Sequence, residues 1–125
     1  MSRHVLLVDD DPELALAVDR QLAELGCEAI VVGSGEDALR VLEQDLRVDV
    51  LLTELRLPDI DGRELAWAVC QKRPFIRVAF IGSRAPSEPL ELREAPLLIK
   101  PFTGMALARA LSEAAPLRRT ARGSG

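Results

Sequence analysis

The chain has few of the residues on which metal centres, disulfide frameworks and catalytic triads depend. Its 125 residues include one histidine, two cysteines, one tryptophan and no tyrosine. Because His4 is the only histidine, the sequence argues against a histidine-based metal centre or catalytic triad. Cys27 and Cys70 lie far apart and lack a Cys-x-x-Cys spacing, which argues against a zinc site and a disulfide framework.

Long apolar runs are also absent. No run approaches the roughly 18 to 20 apolar residues that are needed to cross a bilayer. At the amino terminus, the short apolar run 5–8 is followed at once by three aspartates, whereas a secretory signal needs a longer apolar stretch and a small-residue cleavage site. We therefore expect a cytoplasmic protein with no membrane segment.

The net charge of −4 is unevenly distributed along the chain. Residues 116–125 contain three arginines and no acid, whereas residues 1–115 carry 13 basic and 20 acidic side chains, a net charge of −7. An acidic domain repels a phosphate backbone, so we expect no nucleic acid partner for it. We predict one domain at residues 1–115 and a basic, disordered tail at residues 116–125.

Short, continuously apolar runs alternate with helical periods along the chain. The runs predict five strands, at residues 4–8, 28–32, 48–53, 77–81 and 97–99. Helix signals lie between them, such as the Asp11-Pro12 start, the Gly26 stop, and the Leu14, Val18, Leu22 and Leu25 stripe that we expect to face inward. Prolines leave room for only a short helix near residues 90–94. The pattern predicts a doubly wound α/β domain with a parallel sheet covered on both faces.

Acidic residues and one lysine stand where the predicted strands end. Asp9 and Asp10 follow the first strand, Glu54 follows the third and Lys100 follows the fifth. Ligands of such sheets bind beyond the carboxyl ends of the strands, so these side chains should converge there. Carboxylates this close need a cation, which is either a divalent ion or the lysine. Acids, a metal and a lysine together suit the handling of a phosphoryl group.

Three motifs carry a resemblance to a known family. They are Val-Leu-Leu-Val-Asp-Asp-Asp-Pro at 5–12, Leu-Pro-Asp-Ile-Asp-Gly at 57–62 and Lys-Pro-Phe at 100–102. Because the three motifs occur in this order, the chain resembles the CheY-like receiver domain of bacterial two-component response regulators. The resemblance implies a flavodoxin-like fold with strand order 2-1-3-4-5. It also implies phosphoryl transfer from a histidine kinase to a strand-three aspartate, with Mg²⁺ as cofactor.

The resemblance also implies roles for individual residues. Asp9 and Asp10 match the acidic pair that organises the metal, and the backbone carbonyl of Arg56 matches a further metal ligand. Lys100 matches the lysine that pairs with the phosphoryl oxygens and the acceptor carboxylate. The Lys100-Pro101 peptide bond resembles one that is cis in the family.

The sequence departs from the family at the positions of its switch. The phospho-acceptor position is occupied by Glu54, which is one methylene longer than aspartate, so we expect it to form an ion pair with Lys100 instead. The switch hydroxyl position falls on Gly82, with Ser83 one residue late, and the aromatic-switch position is Leu97. The helix between strands four and five is predicted to be short or degenerate.

These departures favour a pseudo-receiver, meaning a receiver-type module that acts as a phosphorylation-independent protein-interaction domain and not as an enzyme. One alternative is a receiver that a histidine kinase still phosphorylates at Glu54 or at a nearby acid, Asp59 or Asp61. Another is a small Mg²⁺-dependent phosphotransfer enzyme. We expect only weak binding of Mg²⁺, through Asp9, Asp10, Glu54 and the Arg56 carbonyl, because Lys100 already supplies a positive charge.

The expected partners are proteins, namely a histidine kinase or another signalling protein. A homodimer is expected through the face made by the fourth predicted helix, the fifth strand and the fifth helix, the surface that the family often uses for dimers.

Overall fold

The structure, a computed structural model, describes residues 3–44, 47–83 and 95–117. Within these residues four helices alternate with six strands. The strands are β1 (His4–Val8), β2 (Glu28–Val32), β3 (Val50–Glu54), β4 (Arg77–Gly82), β5 (Leu97–Ile99) and β6 (Ala115–Pro116). The helices are α1 (Pro12–Glu24), α2 (Gly35–Glu43), α3 (Gly62–Lys72) and α4 (Gly104–Glu113).

The main sheet has the order β2-β1-β3-β4-β5, with every one of these neighbours parallel. The predicted flavodoxin-like strand order is therefore confirmed. Because the strands are parallel and in register, the last residues of β1, β3, β4 and β5 lie along one edge of the sheet. This edge carries the acidic residues and the lysine.

A short sixth strand was not predicted. β6 pairs antiparallel with the start of β4, where Pro116 lies opposite Arg77. The next residue, Leu117, is only 8% exposed and belongs to the core. Pro116 and Leu117, which the sequence pattern assigned to the tail, therefore pack against the described fold.

Local hydrogen bonds set the helix ends. Each helix begins after a side chain that accepts a backbone N–H of its first turn; these residues are Asp11, Ser34, Asp61 and Thr103. Helix α1 is followed by Gly26, whose φ of 80° lies in the left-handed region that favours glycine. The predicted start at Asp11-Pro12 and the predicted stop at Gly26 are therefore present.

The core forms one layer on each face of the sheet. One layer packs against α2 and α3, and the other packs against α1 and α4. Val18 and Leu22 of α1 are buried as predicted, but Leu14 and the C-cap residue Leu25 are 39% and 40% exposed. The buried residue of the first turn is Ala15. Leucine is a stronger hydrophobic marker than alanine, so the sequence pattern placed the start of the stripe one residue too early.

Two further expectations concern helices. The short helix predicted between strands four and five falls at residues outside those that the structure describes. Among the helices of the described residues, none is long and apolar enough to cross a membrane.

Candidate functional site

One lysine ammonium lies between two buried carboxylates at the carboxyl edge of the sheet. The Nζ atom of Lys100 is 2.7 Å from Oε2 of Glu54 and 3.0 Å from Oδ2 of Asp9. The three side chains are 15%, 10% and 0% exposed, in that order. The ion pair with Glu54 is the one that the sequence leads us to expect. The contact with Asp9 makes the site a three-residue cluster, which we call the Lys100 cluster.

Backbone hydrogen bonds and strand pairing hold the members of the Lys100 cluster in place. The N–H of Asp9 donates to the carbonyl of Val32 at 3.0 Å, and the N–H of Lys100 donates to the carbonyl of Gly82 at 2.8 Å. Glu54 is the last residue of β3 and lies opposite Ile81 of β4. The Lys100-Pro101 peptide bond is cis. The sheet therefore brings together side chains that are far apart in sequence.

Both carboxylate oxygens of Asp9 already have partners within the protein. One carboxylate oxygen of Asp9 binds Lys100 and the other accepts the N–H of Asp11 at 3.0 Å. Asp10 is exposed. Among the described residues, no three histidine, cysteine or acidic side chains are grouped so that they could hold a metal ion. The positive charge between Asp9 and Glu54 is the lysine ammonium.

Arg56, whose carbonyl was expected to be a metal ligand, lies in the loop after β3. It is exposed, and its backbone forms an isolated antiparallel bridge with Asp61. Asp61 caps the start of α3, and its carboxylate also binds the Arg63 guanidinium at 3.1 Å. That hydrogen bond holds the pKa of Asp61 below its usual range.

Burial and charge shift the pKa values of the Lys100 cluster. Burial raises the pKa of Glu54 above its ordinary value of 4.5, the negative charges of Asp9 and Asp10 raise it further, and Lys100 opposes the shift. For Lys100, burial lowers the pKa, but the hydrogen bonds and charges of Glu54 and Asp9 outweigh it and raise the pKa above 10.5. Lys100 thus compensates the negative charge of Glu54 only in part, whereas the two carboxylates hold Lys100 in its charged form.

The raised pKa of Glu54 predicts a pH-dependent contribution to stability. The folded state binds the proton more tightly than the unfolded state, so this contribution is complete below 4.5 and is lost as pH rises through the folded-state pKa. We expect Glu54→Gln to remove that part of the pH dependence. Urea unfolding of both proteins between about pH 4 and pH 8 measures it. Parallel pH profiles for the two proteins would contradict the shift.

The two predicted switch positions differ in their surroundings. Gly82 is the buried last residue of β4, and as a glycine it offers no hydroxyl. Ser83 is exposed. Leu97, at the predicted aromatic-switch position, is half-buried at the start of β5 and packs against the core layer of α2 and α3. An aliphatic side chain that packs against the core thus stands where the family resemblance implies a rotating aromatic one.

Asp59 has a contact that the sequence did not reveal. From the loop after β3, its Oδ1 accepts the N–H of Gly35 at 2.9 Å and its Oδ2 accepts the N–H of Glu36 at 2.8 Å. These two hydrogen bonds lower the pKa of Asp59. The side chain of Ser34, which caps α2 locally, accepts the backbone N–H of Asp37. Asp59 therefore ties the loop after β3 to the start of α2, across 24 positions of sequence.

We expect Asp59→Ala to lower Tm by a few degrees, because it leaves the first two amides of α2 without their side-chain acceptors. Asp59→Asn keeps one acceptor oxygen and should fall between the two proteins. Since the pKa of Asp59 is lowered, its contribution is present above 3.8 and is lost as pH falls. Thermal unfolding followed by circular dichroism tests this. Equal Tm values for the alanine variant and the wild type would show that the two hydrogen bonds do not stabilise α2.

Comparison with known proteins identifies the family. A model of the response regulator receiver domain matches residues 5–112. The Escherichia coli transcriptional regulatory protein GlrR is 33% identical over 78 residues, which are 62% of this chain and 17% of GlrR. The positive alginate biosynthesis regulatory protein of Pseudomonas aeruginosa is 27% identical over 116 residues, 89% of this chain and 46% of that protein. The chain thus spans less than half the length of these curated relatives.

Solved structures agree with this result. The chemotaxis response regulator CheY4 of Vibrio cholerae superimposes with a TM-score of 0.78 at 25% identity, over 90% of this chain and 98% of that one. The signal receiver domain of an HD domain-containing protein from Pseudomonas fluorescens has a TM-score of 0.81 at 22% identity, over 91% and 94% of the two chains. With the family match, the strand order and the cluster of acids and lysine at the strand ends, the chain belongs to the response regulator receiver domain family.

Proposed function

We propose that this receiver domain is a protein-interaction module of two-component signalling that works without phosphorylation of its acceptor position. The observation that carries the proposal is the buried contact of 2.7 Å between Glu54 and Lys100. It occupies the acceptor side chain and the lysine that would otherwise pair with a phosphoryl group. In this proposal the ion pair holds the domain in one state.

The chemistry of phosphoryl transfer supports this proposal. A carboxylate nucleophile has to meet the phosphorus atom in line with the leaving group, and small displacements are costly in rate. Glu54 carries its carboxylate one methylene farther from the backbone than aspartate would, and that carboxylate lies against Lys100. Transfer would require the ion pair to break inside a site that is almost fully buried.

The switch positions support the same conclusion. Gly82 has no hydroxyl that could bond to a phosphoryl group, and Leu97 packs against the core where the family resemblance implies a rotating aromatic residue. A modification shifts a conformational equilibrium only if it interacts differently with the two states. We also propose that Mg²⁺ binds weakly, because an ion would have to compete with Lys100 for the oxygens of Asp9 and Glu54.

Intact-mass spectrometry after incubation with acetyl phosphate and Mg²⁺ tests the proposal. We expect no added phosphoryl mass on the wild type and one phosphoryl group on Glu54→Asp, because aspartate restores the shorter acceptor. Glu54→Gln is the matched control and should stay unmodified. Modification of the wild type would contradict the proposal, and fragmentation would then assign the acceptor to Glu54 or to a nearby acid such as Asp59 or Asp61.

The partners in this proposal are proteins: a histidine kinase or another signalling protein. The homodimer face expected from the sequence includes residues 84–94, which lie outside the described part of the structure. Its described part includes Ile99 and Met105, which are 38% and 85% exposed. Sedimentation velocity of the wild type and Met105→Ser would show whether this face associates.

A further inference from the structure

A second surface, at the opposite end of the sheet from the Lys100 cluster, combines an exposed aromatic ring with positive charge. Phe75, in the loop between α3 and β4, is 88% exposed. Lys72 and Arg77 flank this loop and are also exposed, as is Pro74. We call these four residues the α3–β4 surface. A surface phenylalanine forgoes the free energy of burial that the same ring would gain in a core.

The loop that carries Phe75 is fixed from both sides. The N–H of Ile76 donates to the carbonyl of Arg73 at 3.0 Å, and the N–H of Arg77 donates to the carbonyl of Asp49 at 3.0 Å. The side chain of Ile76 is only 3% exposed, so it anchors the loop in the core while its neighbour Phe75 points away from it. The exposed ring is therefore presented on an ordered backbone, which lowers the entropic cost of binding.

A cavity of about 360 Å³ lies beside the ring and is lined partly by Pro74, Phe75 and Ile76. Lys72 and Arg77 also line this cavity, and Asp49 is the acidic residue among its described lining. The Asp49 carboxylate already accepts the backbone N–H of His4 at 2.8 Å and lies 3.3 Å from Nε of Arg47. The described lining of the cavity therefore combines apolar side chains with an excess of positive charge.

We propose that the α3–β4 surface binds an acidic segment of a protein partner that carries at least one apolar side chain. The apolar side chain would enter the cavity against Phe75 and Pro74, and carboxylates would face Lys72 and Arg77. The inference is independent of the proposed function of the Lys100 cluster, since the two lie at opposite ends of the sheet.

The shape and charge of the surface favour this occupant over two others. A bilayer surface would contact Phe75 but would leave the adjacent cavity unfilled. A two-fold dimer through this surface would place the same positive charges of both copies opposite each other, which is unfavourable. An acidic peptide fills the cavity and compensates the charge.

Panning of a phage-displayed library of random peptides against the wild type tests the proposal. We expect the enriched peptides to combine aspartate or glutamate with an apolar residue. A synthetic copy of an enriched peptide should bind Phe75→Ser and Arg77→Ser more weakly, by about tenfold or more for Phe75→Ser, and more weakly at high salt. Leu16→Ser, which removes an exposed apolar side chain from α1, is the control and should bind as the wild type does.

Four results would overturn the proposal. The first is that no peptide is enriched, and the second is that the enriched peptides lack acids or bind Phe75→Ser as tightly as the wild type. The third is cosedimentation with phosphatidylserine vesicles that Phe75→Ser abolishes, which would assign the surface to a membrane. The fourth is self-association in sedimentation velocity that Phe75→Ser abolishes, which would assign it to a second copy of the chain.

Discussion

Replacement of Lys100 by alanine is expected to lower the free energy of unfolding by about 3 kcal/mol at neutral pH, and Tm by roughly 10 °C. The substitution removes the ammonium that lies 2.7 Å from Glu54 and 3.0 Å from Asp9, and it leaves two buried carboxylates close to each other. An uncompensated buried charge costs more than the ion pair itself contributes. Urea and thermal unfolding of the purified domain measure the loss.

The chain contains its own control for this experiment. Lys72, the other lysine, is exposed at the end of α3, so Lys72→Ala should change the free energy of unfolding by no more than about 0.5 kcal/mol. The double variant Lys100→Ala with Glu54→Gln should recover part of the loss, because it removes one of the two carboxylates. If Lys100→Ala unfolds at the same urea concentration as Lys72→Ala, the Lys100 cluster does not hold the domain in one state.

The second large effect is expected from Gly62→Ala, with a loss of about 3 kcal/mol. Gly62 is the first residue of α3, and its N–H donates to the carbonyl of Leu55 at 2.8 Å. An added Cβ would overlap the backbone carbonyl oxygen of Glu54 and lie 3.0 Å from Cα of Leu55. Backbone atoms cannot rotate away as a side chain does, so either α3 or the end of β3 has to shift.

Gly104→Ala is the matched control for Gly62→Ala. Gly104 is likewise the first residue of its helix, α4, but no atom lies within 4 Å of the position that a Cβ would take. We expect it to change the free energy of unfolding by less than about 1 kcal/mol, in the stabilising direction. Amide chemical shifts around Glu54 and Lys100 should move only in Gly62→Ala. Equal stability of the two variants would show that α3 does not pack against the end of β3 as closely as described.

The sequence by itself determined those features that a few neighbouring residues encode. Caps such as Ser34 and Thr103 bond to amides three residues away, so the helix starts could be predicted locally. Continuous apolar runs predicted the buried strands. Since parallel strands end at one edge, the positions of Glu54 and Lys100 at the ends of strands predicted that their side chains lie close together, and the greater length of glutamate predicted their ion pair.

Only the tertiary structure decided the contacts that join distant loops. Asp9 shares the ammonium of Lys100, and Asp59 accepts from the first amides of α2, because strand order and helix packing bring these segments together. Leu117 is part of the core because β6 pairs with β4. No local hydrogen bond or apolar period marks such contacts in the sequence, since each depends on a distance in space and not on a spacing along the chain.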